Sequence, residues 1–107
     1  MSELSTKQIA YLRGLGQRLE PIVHVGQAGL TEALLAGVNQ ALDGHELVKV
    51  KFHALKEQKK QLAPELAERT GSVLVQRVGH VVVLYRQQAD AAKRKIQIKS
   101  HDEPPVL

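Results

Sequence analysis

The residues with the clearest chemical potential are the two glycines of Val25-Gly26-Gln27-Ala28-Gly29-Leu30-Thr31. They follow an apolar run, Pro21-Ile22-Val23-His24-Val25, and precede a helical pattern that begins near Glu32. Lacking a Cβ, Gly26 and Gly29 can adopt φ > 0 and let another molecule approach the backbone closely. Gln27 and Ala28 between them are neutral, so such a loop offers hydrogen bonds and no side-chain charge. The helix start at Thr31 adds unpaired N–H donors and the positive end of the macrodipole. A phosphate suits this arrangement. Two glycines three apart also make an ordinary strand-to-helix turn, so the loop needs support from elsewhere in the chain.

Charge supplies it. Residues 1–46 hold three basic and five acidic side chains, a net of −2, whereas residues 47–107 hold twelve and six, a net of +6. A basic half points to a polyanion, most often nucleic acid, with a solvated surface as the plain alternative. Lys49 and Lys51 alternate with Val48, Val50 and Phe52, which places both lysines on one face of a strand. Lys56, Lys59 and Lys60 cluster at or before a helix start, where cations oppose the macrodipole and only Glu57 compensates. A phosphate partner would relieve that conflict. Arg77 and Arg86 are weaker candidates. The aromatics are Tyr11, Phe52 and Tyr85, too few and too scattered for a sheet that stacks bases, so recognition of a backbone is the better fit.

Other chemistries find little footing. No nucleophile, base and orienting group stand out, and the histidines at 24, 45, 53, 80 and 101 form no ligand pattern. His24 reads as a core or loop-supporting residue and His80 as a turn residue. No catalysis, metal, cofactor or small-molecule substrate is expected. The absence of cysteine removes disulfides and thiolate chemistry and fits a reducing compartment. No run is long enough to span a membrane and no signal peptide opens the chain, so a soluble cytoplasmic protein is expected.

The elements that must position these residues follow from periodicity. Ser5 and Gln8 predict a capping box, Leu4 and Ile9 a staple, and Ile9, Ala10, Leu12 and Leu15 a buried stripe, with Gly14 and Gly16 ending the first helix. A strand from Pro21 to about Val25 reads as buried on both faces. The second helix runs from about Glu32 to Asp43, capped by Thr31 and stopped by Gly44. The next strand is centred on Val48–Phe52. The third helix covers residues 56–70, with Pro64 predicting a kink or a looser first segment and Gly71 the end. Ser72–Val78 and Val81–Arg86 flank Gly79-His80, a type II′ hairpin in which Val78 pairs with Val81, Gln76 with Val83, Val75 with Leu84 and Leu74 with Tyr85. Both arginines then share a face. The order α-β-α-β-α-β-β implies one α/β domain, a four-stranded sheet with three helices, over residues 1–86, followed by a basic, flexible tail over 87–107.

Five stretches carry a resemblance: Leu4–Gln8, Val25–Glu32, His45–Lys51, Arg69-Thr70-Gly71 and Val78–Arg86. Together they resemble the CRM domain, the chloroplast RNA splicing and ribosome maturation module, and especially its stand-alone bacterial YhbY-type members. The resemblance covers about residues 4–86. It implies a mixed α/β fold similar to the C-terminal domain of translation initiation factor three, and a non-enzymatic protein that binds ribosomal RNA or precursors of the large ribosomal subunit. The loop of Gly26, Gln27, Ala28 and Gly29 is likened in this family to the one that clamps nucleotide backbone in KH domains. Neutral Gln27-Ala28 departs from plant members, which often carry basic residues there, and Pro64 interrupts a helix that the family keeps whole. The alternative is a protein–protein adaptor on the ribosome or on an assembly factor.

Overall fold

The computed structural model describes residues 4–96 and residue 98. Its first two helices start where capping chemistry places them. The Ser5 N–H donates to Gln8 Oε1 (2.7 Å) and the Gln8 N–H to Ser5 Oγ (3.1 Å), opening helix α1, Thr6–Gln17. The Leu34 N–H donates to Thr31 Oγ1 (3.1 Å), opening α2, Glu32–His45. Strands β1 (Val23–Val25), β2 (Leu47–Phe52), β3 (Val73–Val78) and β4 (Val81–Tyr85) form one sheet in the order β1-β2-β4-β3. β1 lies parallel to β2, and the other pairings are antiparallel. Helix α3, Lys59–Thr70, stands between β2 and β3, and a 3₁₀ turn, Ala91–Lys93, follows β4. This is the expected mixed α/β domain.

Strand alternation divides the interior in two. Val48, Val50, Phe52, Val82 and Leu84 face α2 and α3, meeting Val38, Leu42, Ala63 and Leu66. Leu47, Val83 and Tyr85 face α1, where Leu12 closes the smaller core with Ile9, Leu15, Ile96 and Ile98 around it. Lys49 and Lys51 lie on the α1 side, as their alternation with Val48, Val50 and Phe52 requires.

Several boundaries differ from expectation for identifiable reasons. α1 passes through Gly14 and Gly16 to Gln17. Gly16 is buried, and a Cβ there would sit 3.1 Å from Val83 Cγ1, so its glycine serves close helix–sheet packing rather than termination. Ala10 is exposed and takes no part in the stripe. β1 is a three-residue edge strand in which only Val25 is fully buried while Ile22 and His24 are exposed, because α1 does not cover that end of the sheet. α2 continues past Gly44 and the chain reverses at Glu46, whose φ of 63° is unusual for a residue with a Cβ. α3 begins at Lys59, after a turn over residues 56–58 that follows Leu55 at φ 56°. Pro64 lies inside α3 on its exposed side, where water can replace the hydrogen bond that the ring removes.

The hairpin register holds from Val78↔Val81 to Gln76↔Val83 and then slips: Leu74 meets Leu84 and Val73 meets Tyr85. Val75 is the extra residue of a β-bulge. The bulge turns Val75 into the α1-side core and Leu74 toward α2 and α3, opposite to the regular pairing. Arg13 Nε donates to the Val75 carbonyl (2.9 Å), satisfying an acceptor next to the irregularity.

Candidate nucleic-acid interface

The parallel pairing of β1 and β2 brings Val25 level with Phe52 and His24 level with Lys51. The glycine loop and the lysine-bearing segment after β2 therefore leave the sheet at the same end. The His53 N–H donates to the Val25 carbonyl (2.9 Å), and the Phe52 N–H donates to the His80 carbonyl at the hairpin turn (2.7 Å). These bonds tie the end of β1, the end of β2 and the β3–β4 turn into one surface, flanked by the N-termini of α2 and α3.

Within the loop, the Gly29 N–H closes a turn on the Gly26 carbonyl (3.1 Å) and the Thr31 N–H bonds to the Gly29 carbonyl (3.0 Å). Gly29 has φ 73° and its Cα faces Leu55, whose Cδ1 would lie 3.2 Å from an added Cβ. Glycine at position 29 is required by the fold. Gly26 is different: its φ is not left-handed and no atom lies within 4 Å of where a Cβ would stand. Gln27 and Ala28 are exposed, and their amides make no backbone hydrogen bond among the described residues. The first amides of α2, at Glu32 and Ala33, add to this donor set, with the Glu32 carboxylate as a local opposing charge.

Around the loop stand Lys51, Lys56, Lys59 and Lys60. Lys51, Lys56 and Lys60 are exposed, whereas Lys59, the first residue of α3, is 9% exposed. Its stem is packed away, and its ammonium has no hydrogen-bonded or ionic partner among the described residues. Lys49 lies two residues further back on the same face as Lys51, and Arg77 is exposed on edge strand β3. Arg86 stands apart at the opposite end of the sheet. Its guanidinium donates to Asn39 Oδ1 (2.7 Å), the Thr70 carbonyl (2.6 Å), the Asn39 carbonyl (3.0 Å) and Asp43 Oδ1 (2.8 Å). Arg86 fastens the C-terminal half of α2 to the end of α3, although it does share the α2/α3 side of the hairpin with Arg77, as the alternation predicts.

Three histidines join the site that composition alone did not assign to it. His24 Nδ1 and His53 Nε2 lie 2.6 Å apart, with ring centroids separated by 4.8 Å, so one ring donates and the other must accept. His24 is thus an exposed site residue rather than part of the core. Partial desolvation, and then the neighbouring His24, Lys51 and Lys56 charges, hold His53 below the ordinary imidazole range. Partial desolvation, then Lys56, Lys59 and Lys51, do the same to His80. In both, the positive charges nearby add to the effect of desolvation. No group of three or more potential metal ligands occurs among the described residues, and no helix there is long and apolar enough to cross a membrane.

The surface can thus offer backbone donors, fixed cations and titratable imidazoles to an anionic chain. Comparison with known proteins places it in context. An RNA-binding protein of Haemophilus influenzae is 43% identical over 99 residues, covering 92% of this chain and 97% of that one. The probable RNA-binding protein YqeI of Bacillus subtilis is 33% identical over 88 residues, covering 81% of this chain and 92% of its own. A hypothetical protein of Staphylococcus aureus, proposed to bind RNA, has a solution structure that superimposes with a TM-score of 0.73 at 33% identity, over 89% of this chain and all of that one. The CRS1 / YhbY (CRM) domain model matches residues 4–86, and the chain belongs to that family.

Proposed function

We propose that this protein binds RNA without catalysing a reaction, and that its partner is ribosomal RNA or a precursor of the large ribosomal subunit in the cytoplasm. The observation that carries the reading is the convergence of open loop amides with Lys51, Lys56, Lys59 and Lys60 at one end of the sheet. RNA phosphates would lie on Gly26, Gln27, Ala28, Gly29 and the helix start at Thr31, with the lysines closing over them. Lys49 and Arg77 flank this path. The large-subunit target rests on family membership, and RNA as the partner is further supported by the relatives named above as RNA-binding proteins.

Replacing Lys56, Lys59 and Lys60 together by glutamine tests the site. Affinity for ribosomal RNA should fall by more than it does when Lys93, Arg94 and Lys95 are replaced in the same way. Its log–log salt slope should shrink by about 2, at roughly 0.7 per phosphate released from a single strand. Equal losses from the two triple variants would leave only diffuse attraction, and a flat salt response would remove the electrostatic account.

A second reading, a protein–protein adaptor, draws on an apolar cavity of about 450 Å³ bounded by Leu15, Leu19, Ile22, Leu47 and Ile96. It lies away from the glycine loop, and tight binding of protein-free RNA by the purified chain would decide against it.

A further inference from the structure

A second cavity, of about 300 Å³, lies on the α1 side of the sheet beside the hairpin. Its apolar surface comes from Val78, Val81, Val83 and Gly16, and its polar edge from Gln17, Gln76 and Lys49. We propose that this cavity receives one nucleobase of the RNA whose phosphates occupy the glycine-loop site, an inference that rests on the RNA-binding reading above.

The polar groups carry the first part of the argument. Gln17 at the end of α1, Gln76 on β3 and Lys49 on β2 come from three different elements and meet around one hollow. None of their side-chain heads has a hydrogen-bonded or ionic partner among the described residues. A nucleobase is a flat apolar body with donors and acceptors on its edge, and carboxamides can present both kinds of group to that edge. Val78, 61% exposed, extends the apolar wall outward from the buried Val83. A pocket with an apolar lining and a few convergent polar groups has the character of a small-ligand site.

Position carries the second part. Lys49 and Lys51 share one face of β2, about 7 Å apart at roughly 3.4 Å per residue. Lys51 is paired with His24 on one side and with Val81, a wall of the cavity, on the other. A ribose whose phosphate lies at Lys51 and His24 can therefore direct its base toward Val81 and Gln76. The bulge at Val75 contributes too. It lets Val75 enter the core while the next side chain, Gln76, stays on the same side of the sheet, opposite Val83. Gly16 permits α1 to approach Val83 closely, which brings Gln17 over the hollow.

The test compares wild-type protein with Gln17→Ala/Gln76→Ala and with Lys51→Gln. Fluorescence anisotropy would follow oligouridylate, oligoadenylate and an abasic ribose-phosphate oligomer of equal length and charge. Wild-type protein should bind at least one base-bearing oligomer about tenfold more tightly than the abasic one. The double variant, checked for folding by its thermal transition, should lose most of that preference while binding the abasic oligomer as before, with an unchanged salt slope. Lys51→Gln should weaken all three alike. Equal binding of abasic and base-bearing oligomers by wild type overturns the base subsite and leaves the phosphate site standing. A preference that survives in the folded double variant also overturns it, since the base is then read elsewhere. Failure of every oligomer and of ribosomal RNA to bind removes the RNA-binding reading itself.

Discussion

At the end of the sheet where β2 begins, the Arg86 guanidinium makes four hydrogen bonds and the Glu46 carboxylate accepts three. At the end where β2 finishes, Lys51, Lys56, Lys59 and Lys60 have no hydrogen-bonded or ionic partner among the described residues. The chain uses similar charged residues for two purposes. At the first end both charges are tied into the fold: Arg86 meets the terminal carbonyl of α3 at Thr70 and the side chain and carbonyl of Asn39 within α2, and Glu46 takes the N–H groups of Gln88, Lys95 and Ile96. At the other, four cations gather near two helix N-termini, where the macrodipole repels them. Partners inside the protein mark stability. At the other end four such unpartnered cations stand beside the open amides of the glycine loop, which is the arrangement the proposed RNA site uses.

The largest expected effect breaks the first end. Arg86→Ala leaves the Thr70 and Asn39 acceptors without their donor and should cost about 3 kcal/mol of stability, read from urea unfolding. The ion pair with Asp43 contributes little of this, since Asp43 is 72% exposed. Glu46→Gln should cost about 2 kcal/mol, because one acceptor oxygen replaces two while the three N–H groups remain. The same carboxylate makes the fastening acid-sensitive. Burial raises its pKa, but the amides of Gln88, Ile96 and Lys95 and the Arg94 charge outweigh that, so the net value lies below that of an ordinary glutamate. A depressed carboxylate contributes stability above its unfolded pKa, near 4.3, and loses it as pH falls through the folded value. Protection of the Lys95 and Ile96 amides against hydrogen exchange, corrected for the intrinsic rate at each pH, should therefore fall in acid, and Glu46→Gln should abolish that dependence. RNA affinity of either variant, measured where it is folded, should stay near wild type.

Much of this contrast was open to sequence reasoning, but unevenly. The Ser5 and Thr31 caps, the Lys49/Lys51 alternation and the Gly79-His80 turn are local patterns, and local patterns set local structure. The Val75 bulge was invisible because both registers bury valines, and only α1 packing decides between them. Arg86 read as a weaker candidate for RNA because charge is legible in a sequence while the helix carbonyls it meets, 16 and 47 residues away, are not. The histidines were missed for the same reason: His24, His53 and His80 are brought together by a parallel pairing and a hairpin turn. Glu46 offered one faint signal, an acid at the junction between the second helix and the strand that follows it. Of the segment expected as a flexible tail, residues 87–96 include the amides fastened to Glu46 and the turn at Ala91–Lys93, whereas residues 99–107 lie outside those described.

The second prediction sharpens the other end by separating its two glycines. Gly26→Val adds bulk where the protein leaves open space, so it should keep stability within about 1 kcal/mol while lowering RNA affinity about tenfold, by blocking approach to the loop amides. Gly29→Val introduces a β-branched residue at φ 73° against Leu55 and should destabilise the fold by about 2 kcal/mol or more, whatever it does to RNA. Calorimetry beside a binding titration distinguishes them. Unchanged affinity in Gly26→Val would reduce the loop to a connector between β1 and α2.

The smallest effect is carried by the histidines, and its sign is informative. His53 and His80 are held below the usual imidazole pKa in the free protein, so the unfolded chain binds more protons than the folded one just below pH 6.5. Stability from this source is present above that pH and declines as pH falls. A bound phosphate reverses the balance at the same residues: an anion beside an imidazolium raises its pKa, so binding takes up protons and tightens as pH falls. Acid should thus loosen the free protein and strengthen the complex. Between about pH 8 and about pH 6 the affinity should rise roughly threefold, with calorimetric proton uptake that depends on the ionisation enthalpy of the buffer. His53→Asn together with His80→Asn should flatten that rise and leave the salt dependence due to the lysines in place. An affinity that is flat with pH in the wild-type protein would confine the phosphate path to the glycine loop and the lysines, with the His24–His53 contact left as a fastening between β1 and the segment after β2.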